Sequence, residues 1–150
     1  MARDFLYHRR VQFAETDAAG VLHFSNYFRI MEEAEHALWR SLGLSVVHVG
    51  PDSIISWPRV SAFFDYLRPI HFEEEIEIAL RITRLTDKSM TFTADFRHQE
   101  HTVARGSITA VCCATQPGRF QAIHIPDEFR QKLADYLLEP TDSGDNAPPP

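Results

Sequence analysis

The spacing of apolar positions changes twice along the chain. Residues 5 to 14 have the composition of a strand, with mixed alternation, and a loop containing Asp17 and Gly20 follows from Glu15 to Leu22. After this loop, apolar residues recur at helical spacing on one stripe, which predicts a helix. The stripe consists of Tyr27, Ile30, Met31, Ala34, Leu38 and Leu42.

Both ends of this helix carry recognisable signals. Ser25 or Asn26 is the expected N-cap, because either side chain can accept a hydrogen bond from an unpaired backbone N–H. Gly43 fits the C′ position beyond the last turn. The acidic residues of the helix predict a side that faces solvent or another subunit; they are Glu32, Glu33 and Glu35.

From Arg59 onward the period becomes two, which predicts strands. Alternation runs through residues 59–66, 75–83 and 90–97, and a longer strand is expected from 102 to 115. Residues 44–55 have no clear period and predict an irregular or partly helical connection, while 127–138 predict a short closing helix with Asp127 as a cap. A helix followed by an antiparallel run indicates the α+β class. A sheet curled around the first helix would explain the width of that helix's apolar face.

Length, charge and cysteine content narrow the classes of protein. A chain of 150 residues suggests one domain, expected over residues 1–138, and the polar, proline-rich residues 139–150 predict a disordered tail. The net charge of −6 lacks the basic footprint of a nucleic-acid-binding protein. The adjacent Cys112 and Cys113 offer no disulfide framework. The N-terminus lacks the apolar core of a signal peptide, and no apolar run approaches the ~20 residues of a membrane span, so a cytoplasmic protein is expected.

The loop before the first helix carries the candidate chemistry. Asp17 places a carboxylate close to a helix N-terminus, where unpaired N–H groups and partial positive charge can stabilise an oxyanion. The carboxylate can act as a nucleophile or as a general base for water. The simpler alternative is that Asp17 caps the helix or stabilises its own loop, and that Gly20 only supplies a positive φ angle.

Two groups of residues carry a resemblance to a known family. The first is Phe13, then Thr16-Asp17-Ala18 with Gly20-Val21, then Asn26-Tyr27 at the helix start. The second is Pro58-Arg59-Val60, Tyr66-Leu67-Arg68-Pro69 and Phe72-Glu73-Glu74-Glu75. Together they resemble the 4-hydroxybenzoyl-CoA thioesterase-like branch of the hotdog superfamily, over roughly residues 5 to 137.

This resemblance implies a fold, a reaction and a set of site residues. It implies a hotdog fold, with an antiparallel sheet of about five strands wrapped around one long central helix. It also implies hydrolysis of an acyl-CoA thioester by a homodimer or homotetramer, with no metal and with coenzyme A only as part of the substrate. Asp17 takes the position of the catalytic carboxylate, and the backbone N–H of Phe24 takes that of the oxyanion donor. The expected substrate-binding residues are Gly20, Val21, Leu22, His23, Ser25, Asn26 and Arg59.

Several alternatives remain open from the sequence. His23 could orient water or the Asp17 carboxylate, or it could be a loop histidine bonded to the backbone. Arg59 is one candidate to hold CoA phosphates, together with Arg68, Arg84 and Arg105, and each could equally be a surface charge. The same fold also supports hydratases or dehydratases of acyl thioesters and non-catalytic acyl-CoA-binding proteins. The acyl group is not specified by the sequence.

Overall fold

A computed structural model describes residues 3–138. The predicted tail at 139–150 lies outside these residues. The elements are β1 (Phe5–Arg10), α1 (Asn26–Ser41), β2 (His48–Val49), β3 (Ile54–Ser56), β4 (Arg59–Tyr66), β5 (Glu75–Leu85), β6 (Ser89–His98), β7 (His101–Val111), β8 (Cys113–Gln116), β9 (Arg119–Ala122) and α2 (Asp127–Leu133).

The main sheet is antiparallel and has the strand order β1-β5-β6-β7-β4. Alternate residues of β5 and β6 are buried, as the period of two predicts. The predicted antiparallel sheet is therefore confirmed. One of its two outer strands, β4, buries only Phe64, and its other side chains are partly or fully exposed.

A second antiparallel sheet, ordered β2-β3-β8-β9, was missed by the sequence analysis. The expectation of an irregular or helical connection at 44–55 is wrong, because this segment contains β2 and β3. The single long strand expected at 102–115 is also wrong. Cys112 separates β7 from β8, since its N–H donates to Lys88 and its carbonyl accepts from Ile123 instead of continuing the ladder.

Helix α1 has 16 residues and buries most of the predicted stripe. Gly43, at φ +71°, ends the helix as predicted: its N–H donates to the Arg40 carbonyl and the N–H of Leu44 donates to that of Trp39. The predicted solvated or subunit-facing side is wrong for Glu35, which is buried, because it pairs with Arg59 and accepts a hydrogen bond from Trp39.

Helix α2 is shorter than the predicted closing helix and continues into a 3₁₀ turn at Ala134–Tyr136. Pro126, not Asp127, occupies the N-cap position, and Asp127 begins the helix. Phe129 and Leu133 anchor α2 in the core. Within residues 3–138, neither helix combines the length and hydrophobicity that crossing a bilayer requires.

Candidate active site

The loop that holds Asp17 is a tight hairpin between β1 and α1. The backbone N–H of Asp17 donates to the Val21 carbonyl over 2.9 Å, and the N–H of Gly20 donates back to the Asp17 carbonyl over 3.0 Å. Gly20 has φ +79°, a conformation that side chains with a Cβ rarely adopt. Gly20 therefore has a conformational role, whether or not it also contacts substrate.

The two oxygens of the Asp17 carboxylate have different surroundings. Oδ1 accepts the N–H of Ala19 over 2.8 Å and lies 3.4 Å from the N–H of Val21, so it stabilises the loop. Oδ2 has no hydrogen-bond partner among residues 3–138. The side chain is exposed in the single chain and lines none of the four main surface depressions. One oxygen thus holds the loop, and the other is left without a partner in the described part of the chain.

Two hydrogen bonds to the Glu15 carbonyl connect this loop to the start of α1. The N–H of His23 donates to it over 2.9 Å, and Nδ2 of Asn26 donates to it over 2.8 Å. The Asn26 side chain therefore links the loop to the helix. Its predicted contact with substrate stays a prediction.

Phe24 presents the backbone group predicted to stabilise an oxyanion. Its N–H has no hydrogen-bond partner in the described part of the chain, and its side chain is 64% exposed. Its carbonyl accepts the hydroxyl of Tyr66 over 2.9 Å, which fixes the following peptide plane. The local sequence places Tyr66 in a strand and does not predict this contact with the site.

His23 and Ser25 bind each other instead of capping α1. Nδ1 of His23 lies 2.7 Å from the Ser25 hydroxyl and accepts the Ser25 N–H over 3.3 Å. Nδ1 is therefore an acceptor toward the backbone, and the Ser25 hydroxyl can donate to it as well. Ser25 occupies the predicted N-cap position, but its side chain makes no cap hydrogen bond.

Two tyrosines lie together beside the helix start. The rings of Tyr27 and Tyr66 meet edge to face, with centroids 4.8 Å apart. Burial raises the pKa of Tyr27 to about 12, with smaller contributions from Tyr66 and from the negative charge of Asp17. The helical spacing assigns Tyr27 only to the apolar stripe.

Exposed aromatic side chains flank the loop on both sides, and we call Phe13, Phe24, Tyr66 and Phe72 the aromatic rim. The rings of Phe13 and Phe72 meet edge to face at 5.7 Å, and the N–H of Phe72 donates to the Gly20 carbonyl. The rim leaves apolar surface open to water around Asp17.

The remaining predicted substrate-binding residues lie in less open surroundings. Leu22 belongs to the hydrophobic core and is 4% exposed, while Val21 is half-buried. Arg59 pairs with the buried Glu35 and with Glu32, so its guanidinium already has partners inside the chain. A contact between Arg59 and CoA phosphate stays a prediction and would compete with these pairs.

Residues 3–138 contain no cluster of three or more histidine, cysteine or acidic side chains arranged to hold a metal ion. The two cysteines are unbridged and buried, and burial raises the pKa of the Cys112 thiol to about 11. Neither thiol is therefore an activated nucleophile at neutral pH.

Comparison with known proteins gives a consistent result. The family model of the "Thioesterase-like superfamily" matches residues 11–133. A 1,4-dihydroxy-2-naphthoyl-CoA hydrolase of Synechococcus is 31% identical over 137 residues, covering 87% of this chain and 88% of that protein. The crystal structure of a gentisyl-coenzyme A thioesterase aligns with a TM-score of 0.70 at 28% identity, covering 86% of this chain and 98% of the other.

A solved 1,4-dihydroxy-2-naphthoyl-CoA thioesterase from Synechocystis shares the fold, with a TM-score of 0.76 at 24% identity over 88% of this chain and 96% of the other. The chain therefore belongs to the thioesterase-like superfamily, which confirms both the predicted family and the predicted class of enzyme, an acyl-CoA thioesterase.

Proposed function

We propose that this chain hydrolyses an acyl-CoA thioester to the free acid and CoA, with Asp17 as the carboxylate that drives the reaction. The observation that carries the proposal is that Oδ2 of Asp17 and the N–H of Phe24, both in the segment leading into α1, have no hydrogen-bond partner within residues 3–138. One group supplies a negative charge for attack, and the other supplies a donor for the charge that develops on the carbonyl oxygen.

In this reaction the thioester carbonyl oxygen binds at the Phe24 N–H. Oδ2 of Asp17 either attacks the carbonyl carbon or takes a proton from water that attacks it. The carbon–sulfur bond then breaks, and CoA leaves as a thiolate that takes up a proton. Where Asp17 has attacked directly, water then hydrolyses the acyl–Asp17 anhydride, which releases the acid and restores the carboxylate. In this proposal α1 is the long central helix of the hotdog fold, and its N-terminal partial charge favours the oxyanion.

The aromatic rim favours an aromatic acyl group. Its four rings place flat apolar surface next to Asp17, where an aromatic acyl group can pack edge to face or offset. Two of the similar proteins are named for aromatic acyl-CoA substrates, the 1,4-dihydroxy-2-naphthoyl and gentisyl thioesters. We therefore propose an aromatic acyl-CoA, hydrolysed in the cytoplasm without a metal or redox cofactor.

A second copy of the chain completes the site in this proposal. The outer edge of β4 exposes Val60 and Phe63, and Tyr66 of the aromatic rim belongs to the same strand. The opposite outer strand, β1, carries the charges of Arg9 and Arg10, which protect an edge from pairing. We propose that β4 faces another subunit, in a homodimer or homotetramer, and that the acyl group lies between the subunits.

The test is thiol release from a panel of short, long and aromatic acyl-CoAs, with product identification. The proposal predicts free CoA and acid, most rapidly from an aromatic thioester, and a loss of kcat of about 10²–10⁴-fold in Asp17→Asn. Asp52→Asn, an exposed loop aspartate, is the matched control and retains wild-type turnover.

Full activity in Asp17→Asn would refute the role of Asp17. An enoyl product without free thiol would instead indicate a hydratase or dehydratase. Tight binding of acyl-CoA without turnover across the panel would indicate a binding protein.

A further inference from the structure

Tyr27 combines a buried ring with an unpartnered hydroxyl. The residue is 3% exposed, and its ring stacks on Phe96 with centroids 5.7 Å apart. The hydroxyl makes no hydrogen bond to any residue within 3–138. The side-chain atoms that are fully enclosed and unpartnered in this part of the chain are Trp57 Nε1 and Thr93 Oγ1, so the Tyr27 hydroxyl reaches the surface.

The position of Tyr27 directs this hydroxyl toward the site. Tyr27 is the second residue of α1, and helical side chains lean toward the N-terminus of their helix, where Phe24 lies. The Tyr66 ring beside it is held by a hydrogen bond from its own hydroxyl to the Phe24 carbonyl. Asp17 acts on the phenol through its charge but is not hydrogen-bonded to it. No residue within 3–138 hydrogen-bonds the phenol, so its proton is free to be donated to a bound group.

We propose that the Tyr27 hydroxyl is a catalytic group, which donates a hydrogen bond to the thioester carbonyl oxygen and so forms the oxyanion hole together with the Phe24 N–H. This inference rests on the proposed thioester hydrolysis. When an oxygen nucleophile bonds to the carbonyl carbon, the π electron pair moves to the carbonyl oxygen, and both donors stabilise that charge. The pair returns as the carbon–sulfur bond breaks and the thiolate leaves.

Tyr27 keeps its proton throughout these reaction steps. Water supplies the oxygen of the acid, and its protons are shared between the acid and the CoA thiol, so that thioester and water give acid and thiol. The groups that face the phenol are Tyr66 from β4 and Asp17 from the loop, and with burial they raise its pKa to about 12. The phenol is therefore a neutral donor at the pH of a cell.

Tyr27→Phe tests this role because it removes the hydroxyl and keeps the ring that packs on Phe96. We expect kcat to fall by about 10–10³-fold with KM within threefold, as when one oxyanion donor is removed. Tyr136→Phe is the matched control: Tyr136 is also buried, and its ring lies against Phe5 outside the site, so kcat stays at the wild-type value.

A transition-state mimic separates catalysis from packing. A trifluoromethyl ketone analogue of the acyl-CoA forms a tetrahedral oxyanion in such a site. We expect Tyr27→Phe to weaken its binding by at least tenfold while free CoA binds as before. Equal loss of affinity for both ligands would overturn the proposal, as would a kcat within twofold of wild type.

If Tyr27→Phe does not fold, 3-fluorotyrosine at position 27 replaces it, since this residue keeps the ring and the donor but has a lower phenol pKa. The pH above which activity is lost should therefore be lower than in the wild-type protein. An unchanged alkaline limb of the pH–rate profile overturns the proposal.

Asp17→Asn distinguishes the failure of this inference from the failure of the proposed function. Loss of activity there with full activity in Tyr27→Phe refutes only the role of Tyr27, whereas full activity in Asp17→Asn refutes the proposed function.

Discussion

Glu35 is a carboxylate within the core, 1% exposed, and it depends on the partners that surround it. Both of its oxygens bind the guanidinium of Arg59, and Oε1 also accepts the indole N–H of Trp39 over 3.1 Å. A buried carboxylate that loses its cation is left with an uncompensated charge. This pair explains why Arg59 bridges α1 and β4, a role that its sequence context did not reveal.

Removal of Arg59 is therefore expected to destabilise the fold. Arg59→Met should lower the free energy of unfolding by about 3–5 kcal/mol, measured by urea denaturation, because Glu35 remains buried and unpaired. Arg84→Met, at an exposed site on β5, is the matched control and should change stability by no more than about 0.5 kcal/mol. If the Arg59 variant keeps wild-type stability but shows a raised KM for acyl-CoA, Arg59 serves substrate rather than the core.

The packing of α1 on the sheet depends on a close approach between β4 and β7. Gly106 on β7 lies under the ring of Phe64 on β4, and a Cβ at this glycine would come within 2.4 Å of that ring. Phe64 in turn contacts Tyr27 and Phe28 of α1. The absence of a side chain at Gly106 thus sets the position of an aromatic residue beneath the helix start.

A methyl group at this position should displace Phe64. Gly106→Ala is expected to cost about 1–3 kcal/mol of stability by overpacking, measured by thermal or urea unfolding. In the Phe64→Leu background the same substitution should cost less than about 1 kcal/mol, because the smaller side chain leaves room. Additive costs in this double-mutant cycle would contradict the proposed contact.

Elements with a long periodic signal could be predicted from the sequence, and short ones could not. The stripe of α1 and the alternation of β5 and β6 each extend over ten or more residues. By contrast, β2 and β3 have two and three residues, too few for a period to appear, and β3 pairs with β8 about sixty positions later. Only tertiary pairing reveals such strands.

The candidate site follows the same rule: its local motif could be predicted from the sequence, and its long-range contacts could not. The local motif placed Asp17, Gly20 and Phe24 in one loop before α1. The contact of Tyr66 with the Phe24 carbonyl joins residues 42 positions apart, so no local motif predicts it. The buried role of Glu35 was hidden for the same reason, because its partner Arg59 lies 24 positions away.

At the scale of the whole molecule, one outer strand of the main sheet carries exposed apolar residues. Val60 on β4 is 64% exposed. An outer strand with exposed apolar side chains favours pairing with another chain. Val60 lies at the register shift between Arg59 and Ser61, on the strand that also carries Phe64 and Tyr66. Covering this strand by a second copy would bury the apolar residues and close the space beside Asp17.

A charge on β4 should therefore separate the subunits. Val60→Glu is expected to reduce the mass in solution to that of the 17.2 kDa chain, measured by light scattering after size exclusion, and to lower kcat with it. Val49→Glu, at a valine of β2 that is 72% exposed, is the matched control and should leave the assembly intact. A monomeric but fully active wild-type protein would contradict the need for a second subunit.

The most direct measurement of the central claim is a single-turnover comparison of wild type and Asp17→Asn with saturating enzyme. The account predicts that the variant binds the acyl-CoA within about threefold of the wild-type Kd while the rate of thiol release falls by about 10²–10⁴-fold. Thiol release at the wild-type rate, from a variant shown to be folded, would contradict it.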